Sequence, residues 1–118
     1  MAAYKCICID DDKIFLTLME AYIQRIDNVE LIGTYNNPIE GIMAIDKHKP
    51  DLLFLYVSMP EIDAFTTLGA LEHEPKTIIV SSHWELEKEL LEAGADLFLP
   101  KPLKSIDHLK EAIAKVLS

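Results

Sequence analysis

The chain lacks most of the features that mark the commonest functions. It has 118 residues with only two cysteines, four glycines and one tryptophan. The cysteines, Cys6 and Cys8, sit two apart in an apolar run, so on a strand they point to one face. No second Cys/His pair has metal-ligand spacing, so a zinc site is excluded and both read as reduced core residues. No apolar run approaches the roughly 20 residues of a membrane span, and the N-terminus has no signal-peptide stretch. A cytoplasmic protein is expected. Basic residues are scarce: 11 Lys and Arg face 20 Asp and Glu, a formal net charge of -9. Phosphate backbones and anionic membrane surfaces need clustered Lys and Arg, so direct contact with nucleic acid or membrane is not expected. No G-x-G-x-x-G is present, which removes the usual dinucleotide site.

What is present is an alternation. Residues 4–9 form a short apolar run that ends in Asp10, Asp11 and Asp12. Ile14, Leu18, Ala21, Tyr22 and Ile26 then recur at helical spacing. Residues 31–35 read as a second strand. Asn37 and Pro38 read as the N-cap and first residue of a helix running to about residue 47. Residues 51–56 form a third strand without polar alternation, as expected when both faces of a sheet are covered. A short helix over 64–72 follows, then a strand over 77–80. Next come a helix over 85–93 stopped by Gly94, a strand over 96–99, and a last helix capped by Ser105. Its buried stripe is Ile106, Leu109, Ile113, Val116 and Leu117. Five βα units of this kind imply one domain over 1–118, either a stand-alone module or a fragment cut before a further domain, with an α/β fold and a doubly wound parallel sheet between two layers of helices.

Ligands of such folds sit at the carboxyl ends of the strands. Three acids in a row at the first strand end repel one another. A hard cation such as Mg²⁺ would relieve this, and so would Lys101 at the fifth strand end. The plain alternative is an acidic turn that favours the N-terminus of the following helix. A hydroxyl after a strand (Ser81, Ser82) and a Lys-Pro pair (Lys101, Pro102) are ordinary turn residues when taken singly.

Taken together, the strand ends resemble the receiver domain of two-component response regulators. The resemblance rests on Ile9-Asp10-Asp11-Asp12, on Pro50 to Leu55 followed by Met59-Pro60-Glu61-Ile62-Asp63, on Ala93-Gly94-Ala95-Asp96, and on Lys101-Pro102. It covers essentially the whole chain. It implies the flavodoxin-like strand order 2-1-3-4-5. It also implies a phosphorelay chemistry, in which an aspartate after the third strand takes a phosphoryl group from a kinase phosphohistidine with the help of Mg²⁺. By position, Asp11 is then the direct metal ligand, Asp10 acts through water, and Ser58 offers its carbonyl. Lys101 is the phosphate lysine, Phe98 the switch aromatic, and Ser81 the hydroxyl, with Ser82 as the alternative. The resemblance further implies a Lys101-Pro102 bond in the cis form.

The acceptor position holds Tyr56. A phenol is almost wholly neutral at pH 7 and lacks the second oxygen that would hold a metal. The first reading is therefore a receiver that is not phosphorylated on aspartate and acts through protein contacts, with the tyrosine ring filling the pocket. The metal residues are expected to bind Mg²⁺ weakly or not at all. The second reading is a phosphorylation-competent receiver in which Tyr56 is an introduced substitution or a modified residue. A third, from another class, is a small flavodoxin-like cofactor carrier or phosphatase-like protein. The acid triplet is hostile to a flavin phosphate, and the chain is short for a phosphatase cap. No enzymatic activity is expected. Partners implied by the resemblance are a sensor kinase or an output domain, and a second copy across helix four, strand five and helix five. The histidines, His48, His73, His83 and His108, read as surface residues. Trp84 reads as packing over the fourth loop, with partner binding as the other option.

Overall fold

The computed structural model describes residues 3–56 and 64–118. Five strands form one parallel sheet in the order β2-β1-β3-β4-β5. They are β1 (Tyr4–Ile9), β2 (Val29–Tyr35), β3 (Leu52–Leu55), β4 (Lys76–Ser81) and β5 (Leu97–Pro100). Five helices connect and follow them: α1 (Lys13–Ile23), α2 (Pro38–His48), α3 (Ala64–Ala70), α4 (Glu87–Glu92) and α5 (Ile106–Leu117). This is the flavodoxin-like doubly wound order.

Alternation along β1 divides the core. Cys6 and Cys8 face α1 and α5, together with Met19, Phe54 and Leu109. Ile7 and Ile9 face the other layer, with Ile45, Leu53, Leu90 and Phe98. Both cysteines are buried and unpaired, and burial raises both thiols well above their ordinary range. They are core residues, not nucleophiles. Gly41 lets α2 lie close on β1, since a Cβ there would run into the side chain of Ile9. No helix among the described residues is long and apolar enough to cross a membrane.

Local chemistry starts the helices. The Asp12 carboxylate accepts from the N–H groups of Ile14 and Phe15, which makes it the N-cap of α1. Asn37 does the same for α2 ahead of Pro38, and Ser105 caps α5 by accepting from His108 N. α2 ends on Lys49 in the left-handed region, φ 48°.

Several expectations need correction. The buried side of α1 is Phe15, Leu16, Met19 and Ile23, whereas Ile14 is 82% and Leu18 38% exposed. Outside the polar strip of Lys13, Thr17 and Glu20 the helix is apolar, so more than one apolar stripe was open and the one through Phe15 and Met19 turned inward. α3 ends two residues before the expected 72. The expected helix over 85–93 is instead a 3-10 turn, Trp84–Leu86, leading into the short α4. Neither His83 nor Leu86 supplies a capping side-chain bond there, so nothing fixes a full α-helical start. Trp84 does not pack over the fourth loop but stands 72% exposed. His73 and His108 are half-buried: His73 Nε2 lies 2.6 Å from the Pro50 carbonyl, and His108 Nδ1 is buried without a hydrogen-bond partner.

Candidate functional site

The parallel sheet brings four strand ends together. Asp10 N donates to the Tyr35 carbonyl, Tyr56 N to that of Ile9, and Lys101 N to that of Ser81, each at 3.0 Å. The ladder therefore places Asp10, Tyr56, Ser81 and Lys101 side by side at one edge of the sheet.

The three acids have three different fates. Asp12 is spent on the helix cap. Asp11 is exposed. Asp10 is 1% exposed, and both of its carboxylate oxygens are engaged: Oδ1 accepts from Asp12 N at 2.9 Å, and Oδ2 from Lys101 Nζ at 2.8 Å. Burial pushes the Asp10 carboxyl above its ordinary value. The hydrogen bonds from Lys101 and Asp12 recover part of this. The acid repulsion is thus relieved by the lysine, one of the two cations the triplet called for.

Lys101 is held on more than one side. Its Nζ lies 4.1 Å from the centre of the Phe15 ring and 4.2 Å from that of Tyr56. An ammonium over two ring faces, with a carboxylate at hydrogen-bond distance, has most of its charge satisfied locally. Sequence reasoning placed the Tyr56 ring in the pocket, and the ring there lies against the Lys101 ammonium. It missed Phe15, whose part in the site shows only once α1 is packed.

Tyr56 is half-buried. Burial, followed by the nearby Asp11, Asp10 and Asp12, raises its phenol further above its ordinary value. Phenolate, the nucleophilic form, is disfavoured where a phosphoryl group would have to be attacked.

Ser81 is fully buried, and its Oγ accepts from His83 N at 2.9 Å. Ser82 is exposed and borders a groove of about 370 Å³ that also touches Phe15, Lys101 and Leu103. Phe98 is buried beside Leu90 and Ala95, and the Lys101-Pro102 bond is cis. Ser58 lies outside the described residues.

Among the described residues, few donors are left for a Mg²⁺ ion: Asp11 is exposed, and Ser58 lies outside them. A hard divalent cation takes charged oxygens, yet both Asp10 oxygens are committed and Tyr56 contributes no carboxylate. Among the described residues, no group of three or more His, Cys, Asp or Glu is arranged to hold a metal.

Residues 6–114 match the family model of the response regulator receiver domain. The chain belongs to this family. The receiver is 29% identical over 114 residues to the transcriptional regulatory protein BtsR of Escherichia coli (strain K12), covering 95% of this chain and 47% of that protein. It is 36% identical over 112 residues to a protein-glutamate methylesterase/protein-glutamine glutaminase of Geobacter sulfurreducens, covering 92% of this chain and 30% of that one. The receiver thus spans about half or less of the length of these relatives. Among solved structures, the response regulator domain of Thermotoga maritima CheB superposes with a TM-score of 0.84 at 20% identity, covering 98% of this chain and 94% of that one. A CheY-like receiver domain protein from Methanospirillum hungatei JF-1 gives a TM-score of 0.80 at 23% identity, covering 98% and 94%. At such identities these structures speak for the fold alone.

Proposed function

We propose that this receiver acts in two-component signalling through protein contacts and takes no phosphoryl group on an aspartate in its pocket. The observation that carries the reading is the engagement of Lys101. Its ammonium is paired to Asp10 and covered by the rings of Phe15 and Tyr56. A phosphoryl group would have to compete with all three for Lys101, and the acceptor position offers only a phenol whose ionisation is opposed by burial and by three aspartates. Metal binding at Asp10, Asp11 and Ser58 is weak or vestigial in this reading. Ser81 and Phe98 serve packing and turn geometry, with Ser82 at the rim.

The domain catalyses no reaction of its own and works in the cytoplasm. Its partners are a sensor kinase or an output domain. The greater length of the relatives supports an output partner. The net charge of -9 argues against nucleic acid and membrane as direct partners. A second copy across α4, β5 and α5 is the other protein contact this family offers.

The test is incubation with Mg²⁺ and a small phosphodonor, read by intact mass, with Tyr56→Asp treated alongside. The wild type should gain no phosphoryl mass. An acid-labile or acid-stable phosphate on the wild type would overturn the reading in favour of a phosphorylation-competent receiver.

A further inference from the structure

Two large apolar side chains of α2 stand in solvent. Ile39 is 48% and Met43 67% exposed, one turn apart on the outer side of the helix. The inner side is Pro38, Gly41, Ala44 and Ile45, with Gly41 seated against Ile9 of β1. Neither exposed residue joins the core on either side of the sheet. α2 packs on β1 and β2, at the far edge of the sheet from α4 and β5.

The charges on this face form a pattern. Glu40 lies in the first turn and Lys47 in the last, and both are exposed. They are separated by two turns, about 10 Å along the axis. At about 100° per residue they project from the same flank of the line through Ile39 and Met43. Neither has an ion-pair partner among the described residues. Asp46, on the opposite flank, is already engaged, because its Oδ1 accepts from the N–H groups of Glu72 and His73. An acid at the start and a base at the end suit the helix's own dipole. The dipole does not account for Ile39 and Met43 between them.

The pattern selects the occupant. The midpoint between Glu40 and Lys47 falls between Met43 and Ala44. A two-fold axis there turns the helix end for end and sets Glu40 of each chain opposite Lys47 of the other. A face with an acid at one end and a base at the other is its own complement. We propose that the outer face of α2, formed by Ile39, Glu40, Met43 and Lys47, pairs with the same face of a second copy in an antiparallel two-fold dimer. Met43 meets its own copy beside the axis, and Ile39 flanks it. The antiparallel order also brings the positive start of one helix next to the negative end of the other. One helix pair is a small interface, so the dimer is weak and depends on concentration. It is distinct from a contact across α4, β5 and α5 and requires nothing of Tyr56. The phosphodonor experiment stands apart from it, so either can fail alone.

Sedimentation of the chain over a range of concentrations tests the proposal. The substituted residues are exposed, and circular dichroism checks that each variant folds. The wild type should self-associate reversibly. Met43→Lys sets two lysines together at the axis and should weaken the dimer at least about tenfold. Glu40→Lys should weaken it at least about fivefold, because both cross-chain pairs become lysine against lysine. It should do so although it raises the net charge of -9 by two, a change that on its own lessens repulsion between copies. Lys47→Glu should weaken the dimer to a similar degree. Both charge changes in one chain restore the pairs in swapped order and should return the affinity to within about twofold of the wild type. Trp84→Ala should leave it unchanged. A wild type that stays monomeric at about 1 mM would overturn the proposal. So would unchanged or tighter association in Glu40→Lys, or a double variant no better than the single ones. Self-association lost in Trp84→Ala but kept in Met43→Lys and Glu40→Lys would place the second copy on another face and overturn it equally.

Discussion

The pocket at the strand ends and the surface at Trp84 lie one hydrogen-bonded step apart, yet they are built in opposite ways. In the pocket, each charged group among the described residues that the sheet brings inward has a partner. Asp10 has Lys101 and the Asp12 N–H, and Lys101 has Asp10 and two rings. At the surface, an aromatic ring and Glu87, Glu89 and Glu92 are left to solvent, while Glu85 lies 3.3 Å from His83 Nδ1. A site that awaits a ligand leaves something unsatisfied. By that measure the pocket is closed and the outer surface is open, which reverses what the resemblance alone would suggest.

The largest expected effect tests the closure of the pocket. Lys101→Ala leaves a buried carboxylate without its cation and should cost about 3 kcal/mol at neutral pH by urea unfolding. Without the lysine, the native Asp10 carboxyl holds its proton to still higher pH than in the unfolded chain. Stability in the variant is therefore retained at low pH and lost as pH rises, so the deficit should shrink as pH falls. A deficit under about 1 kcal/mol at neutral pH would mean that the pocket is not a closed set.

A smaller effect separates the ring of Tyr56 from its hydroxyl. Tyr56→Ala removes the packed ring and should cost about 1–2 kcal/mol, whereas Tyr56→Phe keeps both ring contacts and should cost less. Because the native phenol is raised, its contribution is fully present below the unfolded value and is lost as pH rises through the folded one. The wild type should therefore lose stability relative to Tyr56→Phe above about pH 10. Equal costs for the Ala and Phe variants would show that the ring is not what holds the lysine.

The smallest effect belongs to the surface. Trp84→Ala should change unfolding stability by no more than about 0.5 kcal/mol, since the ring is largely in solvent. A larger loss would make Trp84 a structural residue and erase the contrast.

Much of this was legible in the sequence, for physical reasons. The buried strands are unbroken apolar runs, and Asn37-Pro38 and Ser105 are caps with local mechanisms, so the βα order could be read directly. The face of α1 could not. Ile14, Phe15, Leu16, Leu18 and Met19 offer overlapping stripes, and periodicity alone does not choose among them. The Phe15 ring over Lys101 was hidden by the same ambiguity, because that contact needs the correct face. The start of α4 was misread because its glutamates suit a helix while the residues before it supply no cap. Trp84 was misplaced because sequence spacing does not tell an inward tryptophan from an outward one on an irregular turn.

Lys101 already supplies the charge that Asp10 needs in the pocket. The most direct measurement is a Mg²⁺ titration of the wild type, followed through the amide resonances of Asp10, Asp11, Asp12 and Lys101. With Asp10 held by Lys101, only weak, non-saturating shifts in the millimolar range are expected, centred on the exposed Asp11. Saturable micromolar binding that moves Asp10 and Lys101 together would contradict it.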